Sequence, residues 1–304
     1  LNQYPNTYLM GLGVPDPKGI FGTTLGLQEK YGVDRVFDIP LAENAMTGVA
    51  IGSSITGLRP ILTHQRVDFS LVSIDQIVNQ AAKWHYMFNG AMCVPIVIRM
   101  VIGRGWGQGP QHSQSLHSWF AHVPGLKVIM PTTPYDAKGM LISAIEDNNP
   151  VIMLEHRWLH SVKEIVPVHS YRVPLDKARI LNEGSDITLV ASSYMTLECL
   201  NAAKVLIKFG IRAEVVDLLS IRPLDVDTLL ESASKTKRVL VIDQSDSSCG
   251  LASEIISTIT IASDNCTFAK LCLPDHPTPT GHTLAKNYYP KASTIVQEVL
   301  KALD

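Results

Sequence analysis

The chain has 304 residues, of which 46% are hydrophobic and 18% are charged, and its formal net charge is −2. This length and composition are typical of a globular protein with a large buried core and about two domains. The near-neutral charge excludes strongly basic classes of protein, so we expect no nucleic acid and no membrane as partner. No apolar run reaches the roughly 18 residues that span a bilayer, and no secretory leader is recognisable, so we expect a cytoplasmic protein.

Five cysteines are scattered along the chain without a C-x-x-C pair, at positions 93, 199, 249, 266 and 272. An odd and scattered set favours free buried thiols over a disulfide framework or a zinc site. Such thiols are typical of a reducing compartment, which agrees with a cytoplasmic location.

The first half of the chain alternates short buried strands with helical patterns. We predict strands at residues 8–14, 36–39, 61–64, 94–99, 127–130 and 151–154. Between them we predict helices that end at residue 30, begin at Glu43, span 70–88 and span 134–147. This alternation indicates a parallel sheet covered on both faces. A stretch at 103–110 with four glycines at every second position predicts a mobile loop.

The second half repeats the alternation after a polar stretch that contains prolines. We predict strands at 186–191, 213–217 and 238–243, and helices at 196–209, at 225–235, at 251–261 and from 293. The sequence therefore predicts an α/β protein with two doubly wound domains, residues 1–155 and residues 184–304, joined by a linker at 156–183.

Residues 39–57 place one carboxylate, that of Glu43, among small and apolar residues at a strand-to-helix turn. These residues alone leave two interpretations open. In the first, which the stretch by itself favours, Glu43 is an ordinary first-turn acid stabilised by the helix dipole. In the second, Glu43 is kept in dry surroundings and exchanges a proton with a bound group.

Longer stretches carry a family resemblance, at residues 43–52, 75–83, 111–128, 131–139 and 147–155. Over nearly its whole length the chain resembles the beta subunit of the decarboxylating component of 2-oxo acid dehydrogenase complexes, of the pyruvate dehydrogenase type. These enzymes use thiamine diphosphate and belong to the transketolase-like superfamily. The resemblance implies that residues 1–155 form a pyrimidine-binding domain and residues 184–304 a transketolase C-terminal-like domain that docks other subunits.

The resemblance also implies roles for individual residues. Glu43 matches the carboxylate at ring nitrogen N1′ of the cofactor, which promotes removal of the thiazolium C2 proton by the 4′-amino group. Phe69 matches the aromatic residue that stacks on the pyrimidine, Leu41 contributes a backbone contact, and Gln65 stands beside the cofactor. His112 matches the histidine that reaches the substrate carboxylate and later the acyl acceptor. The alternatives are a core role for Phe69 and a surface role for His112.

Ile96, Ala144, Asp147 and Asn149 match positions at which the family binds a structural potassium ion. The alternative is an ordinary helix C-cap followed by Pro150, which the same residues would form.

The family holds the cofactor diphosphate and Mg²⁺ with a Gly-Asp-Gly motif, and this chain contains no Gly-Asp dipeptide. The resemblance therefore implies a separate alpha subunit that supplies these ligands, in an α2β2 assembly that shares the cofactor. Dihydrolipoyl acyltransferase is the implied further partner, and pyruvate or a related 2-oxo acid is the implied substrate. Two other functions are a free-standing, transketolase-like enzyme of split subunits that transfers a two-carbon or acyl unit, and a non-catalytic scaffold.

The chain departs from the family pattern at three places. Leu12 and Gly13 replace acidic residues, Gln65 lies in a polar stretch that replaces mostly apolar residues, and residues 243–250 lack the usual Glu-Ala-Pro-x-x-Gly-Gly pattern. None of these departures touches Glu43 or His112.

Overall fold

The structure is a computed structural model that describes residues 1–104, 107–263 and 265–303. Within these residues the strands are β1 (Thr7–Met10), β2 (Val36–Phe37), β3 (Arg59–His64), β4 (Val97–Ile102), β5 (Lys127–Ile129), β6 (Val151–His156), β7 (Arg179–Asn182), β8 (Ile187–Ala191), β9 (Ala213–Asp217), β10 (Ser220–Arg222), β11 (Arg238–Asp246) and β12 (Thr267–Leu273). The helices are α1 (Leu27–Tyr31), α2 (Glu43–Ile55), α3 (Trp84–Met87), α4 (His117–Ala121), α5 (Pro134–Glu146), α6 (Tyr194–Leu206), α7 (Val226–Thr236), α8 (Leu251–Ala262), α9 (His282–Ala285) and α10 (Ala292–Leu303). None of the helices in the described ranges is long and apolar enough to span a membrane.

The strands form two sheets. The first sheet has the order β10-β5-β6-β4-β3-β1-β2, and the second has the order β12-β11-β8-β9-β7. Neighbouring strands run parallel except where β10 pairs with β5 and where β7 pairs with β9. This arrangement confirms the predicted α/β class with two doubly wound sheets.

The first sheet is buried on both faces. Leu62 and Ile98 belong to one hydrophobic cluster, whereas their strand neighbours Ile61 and Val97 belong to another. Successive side chains of a strand point to opposite faces, so the two clusters lie on the two sides of the sheet. This double burial explains why the strands have continuous apolar sequences instead of alternating ones.

Local capping interactions start two of the helices. The Thr133 hydroxyl accepts a hydrogen bond from the Asp136 N–H at 3.1 Å, and the Asp136 carboxylate accepts one from the Thr133 N–H at 3.1 Å. Together with Pro134 in the first turn, this capping box begins α5 at the predicted residue. Asp225 caps α7 by accepting from the Thr228 N–H at 3.4 Å.

The prediction of one continuous helix at residues 70–88 is wrong. The chain forms a 3-10 turn at Val67–Ser73, a π-helical turn at Gln76–Ala81 and then the short helix α3. Ile77 and Ala81 are both buried, so the apolar spacing that predicts a helix is present. The spacing of apolar residues indicates which face of the chain is buried. It does not indicate the backbone hydrogen-bond pattern, which changes twice in this stretch.

Three strands were not predicted, namely β7, β10 and β12. Each lies at an edge of its sheet, and β7 falls within the stretch predicted as a linker. Strand β10 follows β9 of the second sheet but pairs with β5 of the first. Strands β7 and β10 are short, and β12 has one fully buried residue in seven, so none of them gives a clear periodic signal and their partners decide their formation.

A buried aspartate, Asp217 at the end of β9, links the two sheets. Its Oδ1 accepts hydrogen bonds from the hydroxyls of Thr132 at 2.8 Å and Thr196 at 3.0 Å, and Arg179 Nη2 lies 3.7 Å from Oδ2. Burial raises the pKa of Asp217 to about 7, because two neutral donors and one more distant cation replace water incompletely.

We predict that Asp217→Asn removes a pH-dependent part of the stability. An aspartate in the unfolded chain loses its proton at about pH 4, so between that value and about pH 7 the unfolded state binds fewer protons than the folded state. As pH rises through this window, the free energy of unfolding of the wild type therefore falls by up to about 1.4 kcal/mol per pH unit through this group. Urea unfolding at about pH 5 and about pH 7 measures the difference, and the same pH dependence in both proteins would contradict the raised pKa.

Candidate active site

The predicted site residues follow the carboxyl ends of neighbouring parallel strands. Glu43 follows β2, Phe69 follows β3, and the chain that leads to His112 follows β4. Strands β2, β1, β3 and β4 are adjacent in the sheet. Open α/β sheets bind their ligands outside the carboxyl ends of parallel strands. The fold therefore brings the three residues to the edge at which a ligand is expected.

Glu43 is the first residue of α2 and is half-buried. In the described part of the chain its carboxylate has no hydrogen bond or ion pair, and its backbone carbonyl accepts from the Thr47 hydroxyl at 2.7 Å. Ala42 at the N-cap offers no side-chain acceptor, so the first N–H groups of α2 favour a negative charge at this position. Leu41, next in the turn, is 77% exposed. The helix start therefore presents an acid that is available to a bound group.

Phe69 and His112 lie against each other. Phe69 belongs to the turn Val67–Ser73, which packs against α2, and His112 ends the short turn Pro110–His112. Their rings meet edge to face, with centroids 5.5 Å apart and planes inclined at 78°. Phe69 is half-buried, whereas His112 is exposed. The arrangement places an accessible imidazole beside an aromatic ring on the turn that contacts the Glu43 helix.

Asp68, which sequence reasoning did not single out, holds these two segments together. Its Oδ1 accepts a hydrogen bond from the Gln114 side-chain amide at 2.8 Å and another from the Gln114 N–H at 3.3 Å. Asp68 adjoins Phe69, and Gln114 lies two residues beyond His112. The sequence shows an acidic residue beside the predicted stacking aromatic residue. It does not indicate that Gln114 is the hydrogen-bond partner of this acid.

Arg66 contacts both sides of the glycine-rich stretch. Its Nη1 donates to the Gly103 carbonyl at 2.8 Å, and its Nη2 donates to the side chain of Gln108. Arg66 is 2% exposed, and burial lowers the pKa of its guanidinium group. The centre of the predicted mobile loop, residues 105–106, lies outside the described residues. The described flanks of that loop are therefore attached to one buried arginine.

Comparison with known proteins gives matches along both sheets. Residues 1–161 match the transketolase pyrimidine binding domain, and residues 176–295 match the transketolase C-terminal domain. The beta subunit of the acetoin:2,6-dichlorophenolindophenol oxidoreductase of Cupriavidus necator is 43% identical over 288 residues, covering 94% of this chain and 85% of that protein. The beta subunit of the pyruvate dehydrogenase E1 component of Bacillus subtilis is 40% identical over 260 residues, covering 85% of this chain and 80% of that protein. A solved structure described as "Split gene transketolase, inactive beta4 tetramer" has a TM-score of 0.81 at 25% identity, over 99% of this chain and 93% of its own.

The chain belongs to the transketolase-like family of dehydrogenase beta subunits. This finding confirms the family predicted from the sequence motifs. The family depends on thiamine diphosphate. The available Glu43 carboxylate and the half-buried Phe69 ring fit the pyrimidine half of that cofactor, which combines a ring nitrogen with a stacking surface.

Asp38 approaches the turn at which Leu12 and Gly13 replace the acidic residues of the family. Its Oδ1 accepts hydrogen bonds from the N–H groups of Gly13 at 2.8 Å and Ile39 at 2.9 Å. Gln65 donates to the Leu12 carbonyl at 3.2 Å, and a Cβ at Gly13 would lie 2.9 Å from the Gln65 amide nitrogen. The Asp38 carboxylate therefore lies at the turn that has lost the acidic residues of the family. Gln65, which is predicted to contact the cofactor, forms a hydrogen bond with the same turn.

The residues predicted to bind potassium surround the turn between α5 and β6. Asp147 Oδ1 accepts from the backbone N–H and the side chain of Asn149 at 2.8 and 2.9 Å, and Oδ2 accepts from Lys127. The Ile96 carbonyl accepts from the first N–H of β6 at 2.9 Å, and Ala144 is buried in the last turn of α5. Because Lys127 and Asn149 already engage both oxygens of the Asp147 carboxylate, these contacts are those of a C-cap, and the Ile96 carbonyl oxygen keeps a second lone pair that could bind a cation. The potassium ion stays a prediction.

We predict that Arg66→Met loosens residues 107–114 without unfolding the chain. Methionine keeps a long apolar stem but removes both donors, which leaves the buried Gly103 carbonyl without this partner. We expect amide hydrogen exchange in residues 107–114 to accelerate by at least about tenfold, which corresponds to about 1.4 kcal/mol of local opening free energy. Hydrogen–deuterium exchange with mass spectrometry measures this change.

Arg59→Met is the matched control, because Arg59, like Arg66, donates both to backbone carbonyls, those of Ile145 and Asp147, and to a side-chain amide, that of Asn148. The control should accelerate exchange near residues 145–149 and leave residues 107–114 unchanged. Unaltered exchange of residues 107–114 in Arg66→Met would show that Arg66 does not hold this segment.

Proposed function

We propose that the chain is the beta subunit of a thiamine diphosphate-dependent 2-oxo acid dehydrogenase that oxidatively decarboxylates pyruvate or a close relative and passes the acyl unit to a lipoyl group. One observation carries this proposal: the available Glu43 carboxylate on α2, packed against the turn that sets Phe69 beside His112. The similarity to the Bacillus subtilis pyruvate dehydrogenase subunit supports the reaction class.

The residues of this chain have separate tasks in the proposed reaction. Glu43, Phe69 and Leu41 would hold the pyrimidine half of thiamine diphosphate, and this cofactor would supply a nucleophilic carbon and an electron sink for the decarboxylation. Glu43 holds a proton at the pyrimidine nitrogen N1′, which makes the neighbouring amino group basic enough to take a proton. Phe69 stacks on the pyrimidine and fixes its plane, and Leu41 adds a backbone contact. The exposed imidazole of His112 holds the substrate carboxylate and later the acyl acceptor.

An alpha subunit completes the site in this proposal. This chain lacks a Gly-Asp motif, so the alpha subunit holds the diphosphate and Mg²⁺ in an α2β2 assembly, and dihydrolipoyl acyltransferase receives the product. We assign the pyrimidine half of the cofactor to residues 1–155, subunit docking to residues 184–304 and the connection to residues 156–183. The proposal includes a potassium ion at the turn after α5. All five cysteines are free thiols, which supports a cytoplasmic location.

A second candidate function is cleavage of acetoin, or transfer of a two-carbon or acyl unit, by a free-standing heterotetramer. The Cupriavidus necator relative supports acetoin as substrate, and the split gene transketolase supports separate subunits outside a larger complex. Co-purification with the alpha partner, followed by a screen of 2-oxo acids and acetoin with an artificial electron acceptor, separates the candidates. Acceptor reduction with a 2-oxo acid alone supports the first candidate, and reduction with acetoin alone supports the second. Reduction with neither contradicts the first candidate and the acetoin form of the second.

We predict that Glu43→Gln in the reconstituted heterotetramer lowers turnover by roughly 10² to 10⁴ and leaves assembly intact. Glutamine keeps the size of the side chain but cannot hold the exchangeable proton. Steady-state assays with an artificial acceptor measure turnover, and size-exclusion chromatography measures assembly. Glu29→Gln, at an exposed acid on α1, is the control and should be silent. A loss below about threefold in Glu43→Gln would remove the assigned role.

We predict that the isolated chain binds thiamine diphosphate weakly, because it offers contacts to the pyrimidine but no motif for the diphosphate and its metal. Addition of the alpha subunit should restore tight, magnesium-dependent binding. Isothermal titration calorimetry on each preparation measures the difference. Tight, magnesium-dependent binding by the isolated chain would mean that it has a phosphate site of its own.

A further inference from the structure

The stretch 243–250, which departs from the family pattern, reaches into the part of the chain that carries His112. Its first residue, Asp243 on β11, pairs with His117 at the start of α4, with Oδ1 2.8 Å from the imidazole Nε2. The side chains are 3% and 0% exposed, so the pair is fully buried. The Ser245 hydroxyl donates to the other carboxylate oxygen of Asp243. Burial alone would raise the pKa of Asp243, but the charge of His117 and these hydrogen bonds hold it below its usual value.

Two further bonds attach α4 to the C-terminal half of the chain. The Leu251 N–H at the start of α8 donates to the Ser118 hydroxyl at 3.1 Å, and Arg222 of β10 donates to the Ala121 carbonyl at 2.9 Å. With the Asp243 pair, three elements of the C-terminal half, β10, β11 and the start of α8, are bonded to α4. Helix α4 is therefore positioned by elements that lie more than a hundred residues away in sequence.

The residues that lead into α4, 110–116, form what we call the His112 segment. A cavity of about 480 Å³ separates this segment from the C-terminal half. Its lining includes Gln111, Gln114 and Ser115 of the segment and Ser245 and Asp275 on the opposite side. A cavity leaves space between its two linings, so close packing across it contributes little to the position of the segment. Polar attachments at Gln114 and at His117, directly after the segment, contribute instead.

We propose that Asp243 is a positioning residue for the proposed reaction: through its buried pair with His117, it fixes the C-terminal end of the His112 segment, while Asp68 fixes the segment beside Phe69. The inference rests on the proposed function because that function gives His112 a role in turnover. Its structural part, that Asp243 sets the position of His112, stands on the geometry alone.

A buried carboxylate between two sheets also stabilises the fold, and a suitable control separates the two roles. Asp217 is equally buried and also bridges the sheets, and within the described ranges its polar partners are Thr132, Thr196 and Arg179 and none of them lies in α4 or the His112 segment. Asp217→Asn therefore makes the same substitution at an equally buried aspartate, although the raised pKa of Asp217 means that it removes less charge at neutral pH than Asp243→Asn does. A role in stability alone predicts similar behaviour of both variants in activity assays.

A double-mutant cycle in the reconstituted heterotetramer tests the inference. We expect Asp243→Asn to lower turnover by about 10- to 100-fold, since small misplacements of catalytic groups have effects of this size. In a His112→Ala background the same substitution should change turnover by less than about twofold, because its effect passes through His112. Asp217→Asn should leave turnover within about twofold of the wild type. Equal losses from Asp243→Asn in both backgrounds, or no loss in either, would overturn the inference.

A second measurement does not depend on activity. Diethylpyrocarbonate modifies accessible histidines, and peptide mass spectrometry of the full chain gives the rate at His112. We expect Asp243→Asn and His117→Asn to change this rate by at least about threefold and Asp217→Asn to leave it unaltered, because only the first two release α4. An unchanged rate in both pair variants would refute the positioning role. If no assembly shows turnover, the proposed function fails while this rate still decides the position of His112.

Should Asp243→Asn fail to fold, Ser245→Ala replaces it in both experiments. That substitution removes a single donor to the Asp243 carboxylate and leaves the contact between Asp243 and His117 in place. A smaller change in the same direction, again absent in the His112→Ala background, supports the inference. An equal change in both backgrounds contradicts it.

Discussion

Burial of the first sheet on both faces is the constraint on which the site depends. Strands β3 and β4 place their side chains in two hydrophobic clusters, so polar groups find partners mainly where the chain leaves the sheet. Arg99, inside β4, satisfies the same constraint by pairing with Glu155 of β6 through two bonds of 2.7 and 2.9 Å. The side chains available for chemistry consequently collect at the carboxyl ends of the strands, and Glu43 and His112 reach the same edge from different elements.

Two side chains to which no catalytic role is assigned, those of Asp68 and Arg66, fix the segments at that edge of the sheet. Asp68 and Arg66 are buried beside the turn that carries Phe69, and each is bonded to a segment that follows β4. Breaking a buried charged contact on one side costs more than the bond contributes, so these segments have few alternative positions. Burial also lowers the pKa of His64 to about 4. His64 is therefore neutral at neutral pH, so it adds no second positive charge near Arg66, which lies two residues later in the sequence.

Sequence reasoning succeeded where short-range interactions decide the outcome. The capping box of Thr133 starts α5, and the turn before Glu43 starts α2, at the predicted residues. It failed where the deciding partner is distant in sequence. The edge strands β7 and β10 form against β9 and β5, and the carboxylates of Asp68 and Asp243 meet side chains 46 and 126 residues away. Family motifs located Glu43 and His112, but no local pattern encodes these long-range contacts.

The contact between the two sheets contains two buried carboxylates whose pKa values move in opposite directions. Burial raises the pKa of Asp217 to about 7, since its closest donors are neutral hydroxyls, whereas the charge of His117 helps to lower the pKa of Asp243 despite equal burial. The partner and not the depth of burial therefore decides the direction in which the pKa of each carboxylate moves. A charged Asp243 binds α4 more strongly than a neutral one would, because a charge-assisted bond is about twice as strong as a neutral one. The second sheet thus holds the helix that follows His112 through a carboxylate with a lowered pKa, while the Asp217 carboxylate, with a pKa of about 7, is only partly charged at neutral pH.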